Sequence, residues 1–255
     1  MKDKIIAALN TIVEKEDITI HYACESGSRA WGFPSKDSDY DVRFIYTRKK
    51  DWYLQVDEGR DVIEEPISEL LDINGWDLKK ALKLLRKSNP PLLEWLYSPI
   101  IYKEDQTFTR AFKGLADDAF SPIRSTFHYL HMAKGNYRDY LQQDQVRVKK
   151  YFYVLRPILA ALWLQEHNSI PPLSFETLAD RMLKDLQIKR EISLLLARKK
   201  AGDELDFEPR VSLLNDFIED SIQKIESRIT ETPSLDKDHF TERMNSLFLS
   251  TLNRH

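Results

Sequence analysis

Residues 25–44 read Glu25-Ser26-Gly27-Ser28-Arg29-Ala30-Trp31-Gly32-Phe33-Pro34-Ser35-Lys36-Asp37-Ser38-Asp39-Tyr40-Asp41-Val42-Arg43-Phe44. Ten residues separate the Gly27-Ser28 pair from Asp39-x-Asp41. Small residues at a turn let backbone N–H groups approach phosphate oxygens closely, and the Ser28 hydroxyl adds a donor. Two carboxylates suit a hard cation such as Mg²⁺, which takes oxygen ligands and needs only one or two from the protein when a phosphate supplies the rest. The combination is a minimal apparatus for a nucleoside triphosphate.

Working outward, Lys4 to Lys15 places Ile5, Ile6, Leu9, Ile12 and Val13 on one helical stripe. Ile18 to Cys24 is rich in β-branched and aromatic residues and reads as a strand that ends at the Gly-Ser turn. Asp39 to Tyr46 reads as a second strand. Its alternation sends Tyr40, Val42, Phe44 and Tyr46 into a core and turns Asp39, Asp41 and Arg43 to the other face, towards a polar cleft. Successive acids on that face are roughly 6–7 Å apart, so they can share metal ions, and two ions would stabilise both oxygens of an in-line displacement. Arg43 could contact phosphate, orient the acids or form a structural ion pair.

A third carboxylate is expected on a neighbouring strand. Asp61 to Ile73 contains further strand broken near Pro66, Asn74-Gly75 reads as a turn, and Asp77 can cap the helix that carries Leu78, Ala81, Leu82 and Leu85. Asp72, inside an apolar run, is preferred over the capping residue Asp77, with Glu65 third. Asn89-Pro90-Pro91 ends that helix; a short helix (92–97) and a strand (99–102) follow. Beyond about residue 110 strand signals stop. Helices are expected around 123–141, 148–166 with Pro157 inside, 178–196 with Ser174 as a cap, 211–229 and 236–252.

The 255 residues suffice for one large or two small domains. A net charge of -3 requires any nucleic-acid partner to be met by a local basic patch. No apolar run is long enough for a membrane span, and the start of the chain does not read as a signal peptide. The single cysteine, Cys24, excludes an internal disulfide and a cysteine zinc cluster, and is expected to be buried at a strand end. The expected compartment is the cytoplasm. His128 and His131, three apart, are the nearest approach to histidine metal spacing.

The string from Gly27-Ser28 through Asp39-x-Asp41 resembles the signature of the DNA polymerase β-like nucleotidyltransferase superfamily. The longer stretches Ser26 to Phe33, Asp37 to Tyr46, Asp72 to Leu78, Glu94 to Leu96 and Ser98 to Ile100, and more weakly Tyr153 to Ala160, resemble the RNA-repair-pathway polymerase β family. The resemblance implies an α+β fold, with a nucleotidyltransferase domain (1–110) built on a mixed sheet and an all-helical domain (111–255) that closes the cleft. It implies a metal-dependent enzyme using Mg²⁺, two ions, with Mn²⁺ as substitute. Asp39, Asp41 and Asp72 would be the catalytic metal ligands, with Gly27, Ser28 and Arg43 at the nucleotide. Related helical domains supply cations to the triphosphate. Lys149, Tyr153 and Arg156, at i, i+4 and i+7, share a helix face and are the candidates, against a plain solvated face. Arg147 and Lys150 could face solvent or meet nucleic acid. Trp31 is expected to pack beneath its loop, with base stacking as the alternative. The expected reaction moves a nucleoside monophosphate from an NTP to an RNA end, a tRNA-like acceptor, a protein or a small molecule. The competing reading is a non-catalytic nucleotide-binding or antitoxin-like partner module on the same fold.

Overall fold

The computed structural model describes residues 1–35, 38–67, 70–202, 207–229 and 237–254. Lys36 and Asp37 of the opening stretch, Ser68 and Glu69, and Asp236 at the expected start of the last helix lie outside the described residues. The elements run α1 (Lys2–Glu16), β1 (Ile18–Glu25), α2 (Gly27–Ala30), β2 (Tyr40–Arg48), α3 (Lys50–Tyr53), β3 (Val62–Glu64), β4 (Leu71–Asp77), α4 (Leu78–Leu85), α5 (Pro90–Leu96), β5 (Ile101–Glu104), α6 (Gln106–Ala119) and α7 (Pro122–Tyr140). After these come β6 (Gln145–Arg147), a 3₁₀ turn (Val148–Lys150), α8 (Tyr151–His167), α9 (Phe175–Met182), α10 (Leu186–Ala201), β7 (Phe207–Pro209), α11 (Ser212–Ser227) and α12 (Lys237–Leu252).

The chain divides into two compact units. One holds Met1–Ala30, Asp39–Phe120 and Pro233–His255; the other holds Trp31–Ser38 and Ser121–Thr232. The first is built on a mixed sheet of order β3-β4-β2-β1-β5. Among the described residues only β2 and β4 pair in parallel, and their connection is long enough for the crossover that parallel pairing needs. Both faces of the sheet are covered. Ile5, Leu9 and Ile12 of α1 pack with Val42, Phe44 and Tyr46 on one face, while Tyr22, Cys24 and Ile45 join α4, α5, α6 and Phe240 and Met244 of α12 on the other.

A bulge in β1 between Ile20 and Tyr22 explains how that strand serves both cores. The extra residue shifts the alternation, so Ile18, Ile20 and then Ala23 face α1, and Tyr22 and Cys24 face the other helices. Cys24 is fully buried and its thiol is pushed up by burial, in keeping with the sequence expectation.

Asn74-Gly75 is not a turn: both lie inside β4, opposite Arg43 and Phe44 of β2. The glycine is there because the Phe44 ring covers it. An added Cβ would overlap Phe44 Cε2 and Cζ and lie 2.6 Å from Cδ2. Gly75→Ala should therefore overpack a core ring that has no exposure, costing about 1–3 kcal/mol. Thermal unfolding should fall by roughly 2–4 °C per kcal/mol; an unchanged melting temperature would mean that Phe44 repacks freely. Asp77 caps α4 as expected, accepting from the Lys79 N–H at 2.7 Å and from the Tyr53 hydroxyl at 2.6 Å.

In the second unit α7, α8, α9 and α11 pack on one another. α8 runs through Pro157 as one helix and is buried along most of its length. The helices there are joined by a short antiparallel ribbon of β6 and β7 that the sequence did not signal, each strand being three residues long. The segment after α2 belongs to this unit: Phe33 packs against Phe152 and Phe175 at 5.2 and 5.3 Å, and the Phe175 N–H donates to Trp31 O at 3.0 Å.

Candidate active site

The first unit gathers the acids at one end of β2 and β4. Parallel register sets Asp41 directly beside Asp72, so the two carboxylates face the same way from adjacent strands. The Arg43 guanidinium ties them together. Its Nη2 donates to Asp41 Oδ1 at 3.1 Å and to Asp72 Oδ2 at 2.7 Å, and its Nη1 donates to the Asp72 and Val42 carbonyls at 3.0 and 3.1 Å. Burial pushes the Asp41 carboxyl up; Arg43 opposes that, and Asp72 and Asp39 add to it. A further cation would therefore favour the ionised form.

Gly27 closes the other side of Asp41. Its φ of +59° is left-handed, and an added Cβ would overlap Asp41 Oδ2 and lie 2.9 Å from Cγ. Both the backbone conformation and the close approach require glycine. The Ser26 N–H donates to Asp41 O at 2.8 Å, which fixes the turn against the strand. Ser28 is half-buried on α2.

Asp39 is placed differently from the expectation. It was expected on the strand with Asp41 and Arg43, but it is exposed and precedes the strand, which begins at Tyr40. Arg29 holds it from behind, with Nε donating to Asp39 O at 3.1 Å and the guanidinium 3.6 Å from the Tyr40 ring. Among the described residues no group of three His, Cys, Asp or Glu side chains is arranged to hold one metal ion. Asp77 lies five residues beyond Asp72 at the far end of β4, buried as a helix cap. Glu65 pairs with Lys15 at 2.9 Å. Of the three candidates for the third acid, Asp72 is the one beside Asp41.

Glu25 was quoted in the sequence but given no role, and it belongs to this arrangement. It is fully buried, accepts from the Asp41 N–H at 2.8 Å through Oε1, and accepts from the Tyr102 hydroxyl through Oε2. Burial pushes its carboxyl up, and the bonds from Tyr102 and Asp41 oppose this. A carboxylate closing a strand with no other acid was the available signal. Glu25→Ala should leave the Asp41 N–H and Tyr102 hydroxyl without their acceptor, at a cost of about 1–3 kcal/mol for each group that stays buried. Glu25→Gln keeps an acceptor for Asp41 and should recover most of that loss in thermal unfolding. Equal losses in both would show that the charge, not the hydrogen bond, matters.

In the second unit Lys149 lies on the 3₁₀ turn and is exposed, Tyr153 is 42% exposed on α8, and Arg156 is buried at 1%. The Arg156 guanidinium lies 4.9 Å from the Trp31 ring centroid, and Trp31 meets Tyr153 edge-on at 6.3 Å. The helical spacing thus brings Tyr153 and Arg156 to one aromatic partner but does not bring Arg156 to the surface with Lys149.

The first unit is a mixed α+β fold built on a five-stranded sheet. Residues 1–250 match the RNA repair pathway DNA polymerase beta family, and the chain belongs to it. It is 50% identical over 252 residues to the uncharacterized protein YcgL of Bacillus subtilis (strain 168), covering 99% of this chain and 96% of that one. A nucleotidyltransferase-like protein from Exiguobacterium sibiricum 255-15 is 12% identical, with 97% of this chain and 89% of that one covered and a TM-score of 0.32. Among the described residues no helix is long and apolar enough to cross a membrane.

Proposed function

We propose that this protein is a metal-dependent enzyme that transfers a nucleoside monophosphate from an NTP to a hydroxyl acceptor and releases pyrophosphate. The observation that carries the reading is the placement of Asp41 beside Asp72 in register, with Gly27 pressed against Asp41. Family membership supports it. The donor set fits a hard divalent cation: two adjacent carboxylates, with the exposed carboxylate of Asp39 nearby, and no soft ligand. One or two of Asp39, Asp41 and Asp72 per ion, with triphosphate oxygens as the remaining ligands, would hold Mg²⁺ or Mn²⁺, which neutralises triphosphate charge and lowers the pKa of a coordinated hydroxyl.

The chain's own residues divide the remaining work. Gly27 and Ser28 offer backbone N–H groups and a hydroxyl to phosphate oxygens. Glu25 and Arg29 hold the backbones of Asp41 and Asp39, and so fix the spacing of the acids. Arg43 keeps the Asp41 and Asp72 carboxylates oriented and offers positive charge to the triphosphate. Within the second unit Arg156 is proposed to position Trp31, whose ring centroid lies 4.9 Å from its guanidinium. The proposed acceptor is an RNA end, and the compartment the cytoplasm.

One observation favours a second reading. Arg43 already neutralises both carboxylates with hydrogen bonds, as it would in a binding module on the same fold that takes nucleotide without turnover. Purified protein, Mg²⁺, each labelled NTP and separate pools of total RNA and total protein distinguish the two. Pyrophosphate release with label appearing in one pool supports the enzyme. Nucleotide binding with no release in any combination supports the module and removes the enzyme reading.

A further inference from the structure

On the second unit, exposed aromatic rings carry cations on their faces. Lys150 Nζ lies 4.2 Å from the centroid of Tyr140 and 4.9 Å from that of Tyr153, and the Arg147 guanidinium lies 5.1 Å from that of Phe207. Tyr140, Tyr153 and Phe207 are 41%, 42% and 62% exposed. Lys149 adjoins them on the 3₁₀ turn, and Lys199 of α10 is near enough to Lys149 to be affected by it. Among the described residues no carboxylate forms an ion pair with Arg147, Lys149, Lys150 or Lys199. Burial pushes the Lys150 ammonium down, and Lys149 and then Arg147 push it further. Lys199 is lowered by burial and then by Lys149.

Like charges gathered this closely repel one another, and ring faces offset that only in part. A polyanion would relieve it. The exposed rings narrow the choice. Large aromatic surfaces beside a cationic track offer stacking to unpaired bases, whereas a duplex keeps its bases stacked inside and presents only backbone and groove. An acidic peptide would use the charges and leave the rings idle. This is also the local basic patch that a chain of net charge -3 needs in order to meet nucleic acid at all.

We propose that the surface formed by Tyr140, Arg147, Lys149, Lys150, Tyr153 and Phe207 binds single-stranded nucleic acid. That it holds the acceptor strand rests on the nucleotidyltransferase reading; the binding itself does not.

Fluorescence anisotropy of the full chain tests it, using a labelled RNA of about 12 nucleotides, within the usual site sizes, the DNA of the same sequence, its duplex, and polyglutamate as competitor. The single strands should bind, with a logarithmic salt slope of about -2 to -3, as expected for three or four cations at about 0.7 each. Whichever sugar binds tighter identifies the strand, and either result supports the surface. Arg147→Ala with Lys149→Ala and Lys150→Ala should weaken binding by about tenfold or more and flatten the slope. Tyr140→Ala with Tyr153→Ala should weaken it by about tenfold while leaving the slope unchanged. Circular dichroism confirms that these surface variants fold. Asp41→Asn should retain strand binding while losing pyrophosphate release, so failure of the surface and failure of the transfer reaction are read separately. Equal affinity for the duplex, displacement by polyglutamate as effective as by RNA, no effect of the tyrosine variants, or no binding at low salt would each overturn the proposal.

Discussion

Asp41→Asn should lower pyrophosphate release by about three orders of magnitude and leave the fold intact. The substitution keeps the shape of the side chain and removes its charge. A metal clamp supplies several kcal/mol to charge stabilisation in the transition state, and each 1.4 kcal/mol or so is a factor of ten in rate. The backbone N–H of residue 41 still donates to Glu25, and Arg43 still has Asp72 at 2.7 Å. Stability should not fall. The carboxyl of Asp41 is pushed up by burial, so the folded state binds its proton more readily than the unfolded state does. Ionised Asp41 therefore opposes folding above its unfolded pKa, and that burden grows as pH rises through that range towards the folded value. An uncharged amide removes it. Pyrophosphate release is followed by a coupled assay and stability by thermal unfolding. Wild-type release from the variant would exclude Asp41 from the chemistry, and a collapsed fold would make its role structural.

Gly27→Ala should be nearly as damaging to transfer and, unlike Asp41→Asn, should also destabilise. A left-handed backbone costs an L residue about 1–2 kcal/mol. The new methyl also meets Asp41 Oδ2, so either the turn or the carboxylate must move. Because the Ser26 N–H ties the turn to the Asp41 carbonyl, the movement is expected to fall on the carboxylate. A displacement of about 1 Å can cost a hundredfold in rate. With roughly 2 kcal/mol lost, the melting temperature should drop by about 4–8 °C. Gly32→Ala is the control: its φ is also positive, at +85°, but among the described residues no heavy atom beyond its chain neighbours lies within 4 Å of an added Cβ. It should show the backbone cost without the loss of transfer. If both variants lose transfer equally, the contact with Asp41 is not what Gly27 protects.

Much of the first unit could be read from the sequence because its signals are local. The α1 stripe, the β-branched run of β1, the alternation of Val42, Phe44 and Tyr46 and the cap at Asp77 each depend on a few neighbouring residues and on a fixed period. The preference for Asp72 over Asp77 followed from an acid in an apolar run, and β4 places Asp72 beside Asp41. Asn74-Gly75 shows where local reasoning fails. The dipeptide favours a turn by itself, but the glycine answers a ring on another strand, and nothing within β4 reports that ring. Glu25 went unassigned for the same reason: its partners, Asp41 and Tyr102, are 16 and 77 residues away in the chain.

By itself the sequence determined the α+β class, the turn-and-strand frame of residues 25–44 and the residue types offered to phosphate and metal. It could do so because secondary-structure period and side-chain chemistry are properties of short segments. The tertiary structure decided which strands are neighbours and in what register, and hence that Arg43 joins Asp41 to Asp72. It also decided that Trp31–Ser38 belongs with the helical unit and that α12 returns to the sheet unit. Those choices depend on which apolar faces, far apart in the chain, bury one another best, and that is set by packing across the whole unit rather than by any single stretch of residues.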